Sequence, residues 1–233
     1  MPRKSPAPTD TQEGLPLPRK LPSQSRSRLL VCALVEACHT ILDNEGAQAL
    51  TVNRLAEVSG VAIGSIYQYF PNKEAIVTLA FEQILEQEAT INVPALRRRI
   101  DGLPLAETLH EIFENTIRIE LRLFRLNREF HLKYYPKLQA GMRTGAFETA
   151  REYVDQAWDH FIQLYVPQLS GEAREVAAYM LGIGLRSMIR TALEDDPERV
   201  ARPAFRDCLV NMALGSLQPR PPAGTPGVSR IGG

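Results

Sequence analysis

TVNRLAEVSGVAIGSIYQYFPNKE, residues 51–74, is the stretch of sequence that decides the fold. Thr51 is a favourable N-cap, and it opens a short helix with one apolar face. Gly60 predicts a tight turn with positive φ, after which a second short helix packs Ile66 and Tyr69 back onto the first. Two short helices that cross at a glycine turn form a helix-turn-helix. An ordinary helical hairpin has the same spacing, so spacing alone leaves both alternatives open.

Apolar side chains recur at helical spacing over most of the chain outside this stretch. Gly46 is the natural end of the helix that precedes it. Strand patterns, in which apolar and polar residues alternate between turn dipeptides, do not occur. We therefore expect an all-α protein of about nine helices. The longest further helical stretches are 105–135, 147–165, 172–193 and 203–217.

Proline placement divides the chain into a folded part and two tails. Six of the 17 prolines lie in residues 1–25, and four more lie in residues 219–233. These ends carry too few apolar side chains to offset the entropy of ordering, so we predict disordered tails over 1–24 and 219–233. Between them we expect a folded unit that runs from about Ser25 to about Gln218.

Charge and cysteine content exclude several classes of protein. The 27 Lys and Arg residues balance 27 Asp and Glu residues, so net charge gives no sign of a polyanionic partner. Three cysteines, an odd number, argue against a disulfide framework and for the reducing cytoplasm. The N-terminus lacks the apolar core of a signal peptide, and no apolar run is long enough to span a membrane. We expect a cytoplasmic protein that does not associate with membranes.

A denser motif lies inside the deciding stretch. Ala56 is followed by Gly60 and Val61, then by GSIYQYF (64–70) and PNKE (71–74). This pattern resembles the N-terminal DNA-binding domain of the TetR family of bacterial transcriptional regulators. It departs from the family at Ala62, where many relatives carry a Ser or Thr cap. The resemblance implies a three-helix DNA-binding domain over 25–75, and over 76–218 a helical domain that binds an effector and dimerises.

The motif also suits DNA chemically. A recognition helix needs small or polar residues near base edges, with hydroxyls or cations near the phosphates. Gln68 suits adenine, Ile63 suits a thymine methyl, and Lys73 supplies a cation. A structural role remains the alternative for each tyrosine, and Tyr69 is the more buried candidate. The predicted DNA contacts are Thr51, Ile63, Gly64, Ser65, Tyr67, Gln68, Tyr69 and Lys73.

The basic residues of the N-terminal tail leave two alternatives open. Together with Arg26 and Arg28, they form either an arm over the DNA backbone or minor groove, or a solubilising leader. Net charge supports neither strongly, because the first 73 residues carry eight cations against six anions.

The chain, including residues 76–218, contains no recognisable catalytic pattern. The four histidines lack metal-ligand spacing, and nucleophile-elbow and glycine-rich phosphate-binding motifs are missing from the sequence. We therefore expect no enzyme activity, cofactor or metal. A helical enzyme, a protein-interaction module and a DNA-binding protein without ligand response remain the alternative functions.

A candidate effector site follows from the stretch that begins near residue 105. On a helical wheel its apolar face carries a line of polar side chains, which is typical of a ligand cavity with mostly apolar walls. This interpretation requires the helix to continue past Leu126. It also competes with a structural role in which Glu120 is satisfied within the protein. The predicted ligand contacts are Phe113, Thr116, Glu120, Asn127, His131 and Tyr134, and the predicted effector is a small, mainly apolar molecule.

A homodimer is expected because one recognition helix reads few base pairs, whereas a two-fold dimer reads a palindrome. The stretches 172–193 and 203–217 each carry a broad apolar face, which predicts a four-helix dimer interface. Intramolecular core is the alternative for the same residues. They are Val176, Ala177, Met180, Leu181, Gly184, Met188 and Ile189 in the first stretch, and Phe205, Leu209, Met212 and Ala213 in the second.

Overall fold

A computed structural model of the chain describes residues 14–19, 25–141 and 150–218. All regular structure in these residues is helical, which confirms the all-α class. Thirteen α-helices are present there, and two π-helical turns join them into eleven continuous helices, against about nine expected. The remaining parts of the predicted tails, 1–13, 20–24 and 219–233, lie outside the described residues.

Four helices form the N-terminal part of the chain: α1 Ser25–Asn44, α2 Val52–Ser59, α3 Ile63–Tyr69 and α4 Lys73–Gln87. Helix α1 packs against α2 and α4 and contributes Leu34, Cys38 and Ile41 to the core. It ends at Asn44, just before the predicted stop Gly46, whose φ of 82° is left-handed and whose amide donates to the Ile41 carbonyl.

Local capping explains why the helix-turn-helix begins and turns where it does. The Thr51 hydroxyl oxygen accepts the Arg54 amide at 3.1 Å, and so caps α2 as predicted. Gly60 has φ 70°, which confirms the predicted positive φ of the turn. The Asn72 side chain accepts the Ala75 amide at 3.0 Å and starts α4.

The helices that follow are α5 Val93–Ile100, α6 Leu105–Leu126, α7 Arg128–Lys133, α8 Tyr135–Gly141, α9 Ala150–Tyr165, α10 Gly171–Tyr179, α11 Leu185–Asp195, α12 Pro197–Val200 and α13 Pro203–Ser216. The π-helical turn Glu88–Asn92 joins α4 to α5, and the turn Met180–Gly184 joins α10 to α11.

The expected continuous helix over residues 105–135 is wrong. Helix α6 ends at Leu126, and Asn127 is extended, with φ −155° and ψ 93°. The Asn127 side chain accepts the Phe130 amide at 3.0 Å and so caps α7. Asparagine favours this position because its side chain replaces a backbone partner. The helical wheel therefore does not apply to Asn127, His131 and Tyr134.

Tertiary contacts divide the chain into two compact units. Of the described residues, unit 1 comprises 14–19, 25–95, 121–141 and Ala150, and unit 2 comprises 96–120 and 151–218. This division differs from the expected domain boundary after residue 75, which stays a prediction.

The core of unit 1 includes an aromatic cluster between α4 and the α7–α8 segment. The Phe81 ring lies 4.7 Å from the Phe130 ring and 6.3 Å from the Tyr135 ring, measured between centroids. His131 is fully buried, stacks on Tyr135 at 4.8 Å and meets the edge of Phe124 at 5.6 Å. Aromatic packing therefore ties α4 to the segment that follows the α6 break.

Unit 2 has an aromatic cluster of its own. Trp158 lies 6.2 Å from Phe113 and 5.3 Å from Phe161, and Tyr165 continues the row 4.8 Å beyond Phe161. The Thr108 hydroxyl donates to the Tyr165 hydroxyl oxygen at 3.2 Å, which satisfies the polar end of this row. These contacts pack α9 on the first part of α6.

Candidate nucleic-acid interface

Helix α3 presents an exposed face and a buried face. Ile66 is 1% exposed and contributes to the core. On the opposite side, Ile63 and Tyr67 are 42% and 49% exposed, and Gly64 and Gln68 are exposed beside them. Because residues four apart share one side of a helix, these side chains form one surface. This seven-residue helix therefore leaves two large side chains exposed on one side.

The remaining predicted contacts of α3 are less accessible. Ser65 and Tyr69 are half-buried, in agreement with the expectation that Tyr69 is the more buried of the two tyrosines. Ala62 occupies the N-cap and supplies no side-chain hydrogen bond. This leaves the first-turn amides of α3 without the side-chain partner that a Ser or Thr cap would give.

The Lys73 side chain reaches the start of α2, where it binds the residue that precedes Thr51. Thr51 is exposed, and its hydroxyl retains a proton to donate while its oxygen caps the helix. The Lys73 ammonium donates to the Leu50 carbonyl at 2.9 Å, across 23 residues of sequence. An ammonium has three donors, so two N–H groups remain beside Thr51 after this bond. The fold thus brings a cation and a hydroxyl to one helix end.

A charged cluster that the sequence analysis missed flanks the same helix end. The Arg54 guanidinium makes a bidentate pair with the Glu45 carboxylate, at 2.9 Å from Nε and 2.8 Å from Nη2. Its Nη1 also lies 2.8 Å from a Glu57 carboxylate oxygen. The hydrogen bonds from Arg54, aided by its charge, lower the pKa of Glu45, and the two carboxylates raise the pKa of Arg54. The Arg54 guanidinium is therefore paired with two carboxylates of the protein itself, those of Glu45 and Glu57.

All eight predicted DNA contacts lie in unit 1, at the N-terminal ends of α2 and α4 and along α3. The signal for Arg54–Glu57 was present as an i,i+3 pair of opposite charges. Contacts of Lys73 with Leu50 and of Arg54 with Glu45 join separate elements, which periodicity does not reveal.

The predicted effector contacts have mixed surroundings. In unit 2, Phe113 and Glu120 are buried, at 2% and 5% exposed, and the Thr116 hydroxyl donates to the Ile112 carbonyl at 2.9 Å. In unit 1, Asn127 is used as a helix cap, and His131 is enclosed by aromatic rings. Tyr134, also in unit 1, is 8% exposed and packs against Phe130 at 5.3 Å.

Comparison with known proteins agrees with this geometry. Residues 34–79 match the family described as bacterial regulatory proteins, tetR family. These residues are a TetR-family domain. The match spans the second half of α1 and all of α2 and α3, and it includes every predicted DNA contact. It confirms the resemblance inferred from the motif at 56–74.

Two individual proteins that are similar to the chain were also found. The chain is 31% identical over 97 residues to the nucleoid occlusion factor SlmA of Haemophilus ducreyi. That alignment covers 41% of this chain and 45% of the relative, so it spans less than half of either protein. A solved structure described as the fatty acid degradation regulator FadR from Bacillus halodurans covers 86% of this chain and 100% of its own, with 18% identity and a TM-score of 0.44.

Among the described residues, no helix is long and apolar enough to cross a membrane. Within the same residues, no group of three or more His, Cys, Asp or Glu side chains is arranged to hold a metal ion. The three cysteines are free thiols, with Cys38 buried and Cys32 and Cys208 exposed.

Proposed function

We propose that the chain is a sequence-specific DNA-binding transcriptional regulator. In this proposal it represses by binding a palindromic operator as a homodimer, and a small, mainly apolar effector releases it. The observation that carries the proposal is the exposed face of α3, formed by Ile63, Gly64, Tyr67 and Gln68, within a TetR-family domain.

Residues on the α3 face have the chemistry for reading base edges. The Gln68 amide can pair bidentately with adenine, and the Ile63 methyl groups suit contact with the methyl of thymine. Gly64 lacks a side chain, and a Cβ built there meets nothing within 4 Å, so the backbone is open to close approach. Ser65 is the half-buried neighbour, with a hydroxyl for base or phosphate.

Phosphate contacts are proposed for residues at the edges of the same surface. Tyr67 and Tyr69 bring phenolic hydroxyls, and Thr51 brings a hydroxyl at the N-terminal end of α2, where partial positive charge favours phosphate. Lys73 adds two ammonium N–H groups beyond its bond to Leu50.

A dimer interface is proposed on the α10–α11 segment and α13 of unit 2. Each predicted apolar face has a buried part and an exposed part. The buried part belongs to the core of unit 2, and its members are Ala177, Leu181, Ile189, Leu209 and Ala213. The other part is exposed and rich in methionine. Its members are Val176, Met180, Met188 and Met212, at 54%, 52%, 40% and 50% exposure. Apolar side chains exposed together in this way support burial by a second copy.

The effector site is proposed around α6, with Phe113, Thr116 and Glu120 as its contacts in unit 2. Glu120 is a buried carboxylate that already has a partner within the protein, as a carboxylate in apolar surroundings requires. A donor or cationic group on the effector would be a further partner for it. Asn127, His131 and Tyr134 remain proposed contacts, although the helical wheel that suggested them fails at Asn127.

The DNA contact is tested by selecting duplexes from a random library with the full chain and measuring affinities by band shift. Gln68→Ala should change the preference at one base pair by roughly 1–3 kcal/mol. Gln87→Ala, at the exposed end of α4, is the control and should leave the profile unchanged. An intact preference profile in Gln68→Ala would show that α3 does not read the bases as proposed.

The dimer is tested by light scattering at micromolar concentration. Met180→Glu and Met212→Glu together should convert a dimer into a monomer, since charges replace apolar contacts. Leu164→Glu changes a side chain that is 66% exposed on α9 and should leave the mass unaltered. A wild-type chain of monomeric mass would exclude the interface.

The effector is tested with a thermal-shift screen of small apolar compounds, followed by release of the selected operator. Glu120→Gln and His131→Ala should retain DNA affinity and lose the response to a compound that releases the wild type. Full response in both variants would remove these residues from the effector site.

A further inference from the structure

Residues 14–19, which we call the strap, lie outside the helices and dock on the DNA-binding part of unit 1. The Thr78 hydroxyl on α4 donates to the Pro16 carbonyl at 2.7 Å. Three residues on, the Arg19 amide donates to the Tyr69 carbonyl at the end of α3, also at 2.7 Å. The strap is thus attached at two points, one on each of these helices.

The composition of the strap favours such docking. Pro16 and Pro18 restrict the unfolded chain, so ordering this segment costs less backbone entropy than ordering other residues. Neither proline has an amide N–H that needs a partner. The carbonyl of Pro16 is bound by the Thr78 hydroxyl, and the Thr78 side chain is completely buried.

The second attachment determines what the strap brings to the surface. Tyr69 is the last residue of α3, and the final carbonyls of a helix need partners from outside it. By binding that carbonyl, the Arg19 backbone comes to the C-terminal end of the helix whose exposed face carries Tyr67 and Gln68. The Arg19 side chain is exposed there. When a helix lies in the major groove, the two ends of that helix come close to the phosphate backbone.

We propose that the strap holds the Arg19 guanidinium as an additional phosphate contact at the C-terminal end of α3. The proposal rests on the proposed DNA-binding function and assigns Arg19 a role that the motif does not include. Thr78 acts as a positioning residue, because its hydroxyl anchors the strap without contacting DNA. The contact adds affinity for every sequence, since phosphates carry no base information.

The test measures how the affinity of the full chain for a short duplex of unrelated sequence depends on salt. Arg19→Gln should reduce the slope of log K against log salt by about 1, because one counterion fewer is released. Between 50 and 200 mM salt, the wild type should then lose about 3.5-fold more affinity than the variant. Arg199→Gln on α12 is the matched charge control and should leave the slope unchanged.

Variants of Thr78 test whether docking of the strap, and not only the charge of Arg19, is needed for the contact. Thr78→Val keeps the shape of the side chain but removes the hydroxyl, so it should reduce the slope as Arg19→Gln does. Thr78→Ser keeps the hydroxyl and should retain the wild-type slope. In the Arg19→Gln background, Thr78→Val should cause no further reduction.

Two results would overturn the proposal while the proposed function stands. The first is a wild-type salt slope in Arg19→Gln. The second is a Thr78→Val substitution that reduces the slope equally with and without Arg19, because its effect would then arise within α4 and not from the strap. A wild-type chain that binds no duplex in a salt-sensitive manner would instead refute the proposed function itself.

Discussion

The substitution Gly64→Ala should raise the stability of the free protein and lower its affinity for DNA. Gly64 lies in the first turn of α3, where it is exposed, and a Cβ added there meets nothing within 4 Å. Its φ is not positive, so alanine fits the backbone without strain. The free protein therefore has room for the methyl group.

In the free protein the substitution should be stabilising. Alanine in place of glycine, where the backbone fits both, stabilises a protein by about 0.4–1 kcal/mol, because the unfolded chain has less freedom to lose on folding. For a chain of this size we expect the Tm to rise by about 1–4 °C. Calorimetry or circular dichroism measures this change.

In the DNA complex the same methyl group should be harmful. If the α3 backbone approaches base edges at Gly64, the added carbon overpacks the contact, at a cost of about 1–3 kcal/mol. That cost corresponds to a roughly 5- to 150-fold weaker affinity for the selected operator. A band shift on the more stable variant would measure this loss.

Gly60→Ala is the matched control. Its Cβ also meets nothing within 4 Å, but φ is 70°, so we expect about 1–2 kcal/mol of destabilisation from the backbone alone. Operator affinity of the folded variant should stay at the wild-type level. Wild-type affinity in Gly64→Ala, measured beside a wild type that binds its operator, would refute the placement of the α3 N-terminus against the bases.

Three further predictions concern the core and its ionisable groups. Phe81→Ala should reduce the free energy of unfolding in urea by about 3–5 kcal/mol, because a fully buried ring of the unit 1 aromatic cluster is lost; a smaller change would mean that the cluster collapses around the cavity. Because Arg54 lowers the pKa of Glu45, this pair stabilises the fold above the ordinary Glu pKa of 4.5 and is lost as pH falls through the lower folded-state pKa. Thermal unfolding from pH 7 to pH 3 should therefore show a smaller acid-induced loss of stability in Glu45→Gln, and equal losses would contradict the pairing. Burial raises the pKa of Cys38 to about 12, so at pH 8 a thiol reagent should label exposed Cys32 and spare Cys38 until urea is added, as mass spectrometry of the labelled peptides would report.

Local patterns predicted the features that depend on a few neighbouring residues. The positive φ of Gly60, the Thr51 cap and the end of α1 just before Gly46 all follow from side-chain chemistry within one turn. The exposed and buried faces of α3 follow from helical periodicity. The break at Asn127 had the same kind of signal, an asparagine able to cap, but continuous apolar periodicity on both sides concealed it.

The strap illustrates what composition alone does not determine. Residues 14–19 belong to a Pro-rich stretch that carries too little apolar surface to fold by itself. Their docking depends on a buried hydroxyl on α4 and a carbonyl at the end of α3, 62 and 50 residues away along the chain. Proline content reveals the low entropic cost of ordering, but it does not reveal that partners are available.

The sequence by itself predicted the helical class and the cap and turn within residues 51–74, because these depend on spacing within one or two turns. The resemblance of the same residues to a known family then favoured a helix-turn-helix over an ordinary hairpin. Only the tertiary structure decided which of their side chains have other partners. Lys73 reaches Leu50, and Arg54 is shared by two acids. Tertiary structure also decided which residues on the apolar faces of α10–α11 and α13 are buried and which are exposed, since burial depends on which other helices cover a residue. Periodicity identifies a face, whereas long-range packing determines how much of that face remains free to bind.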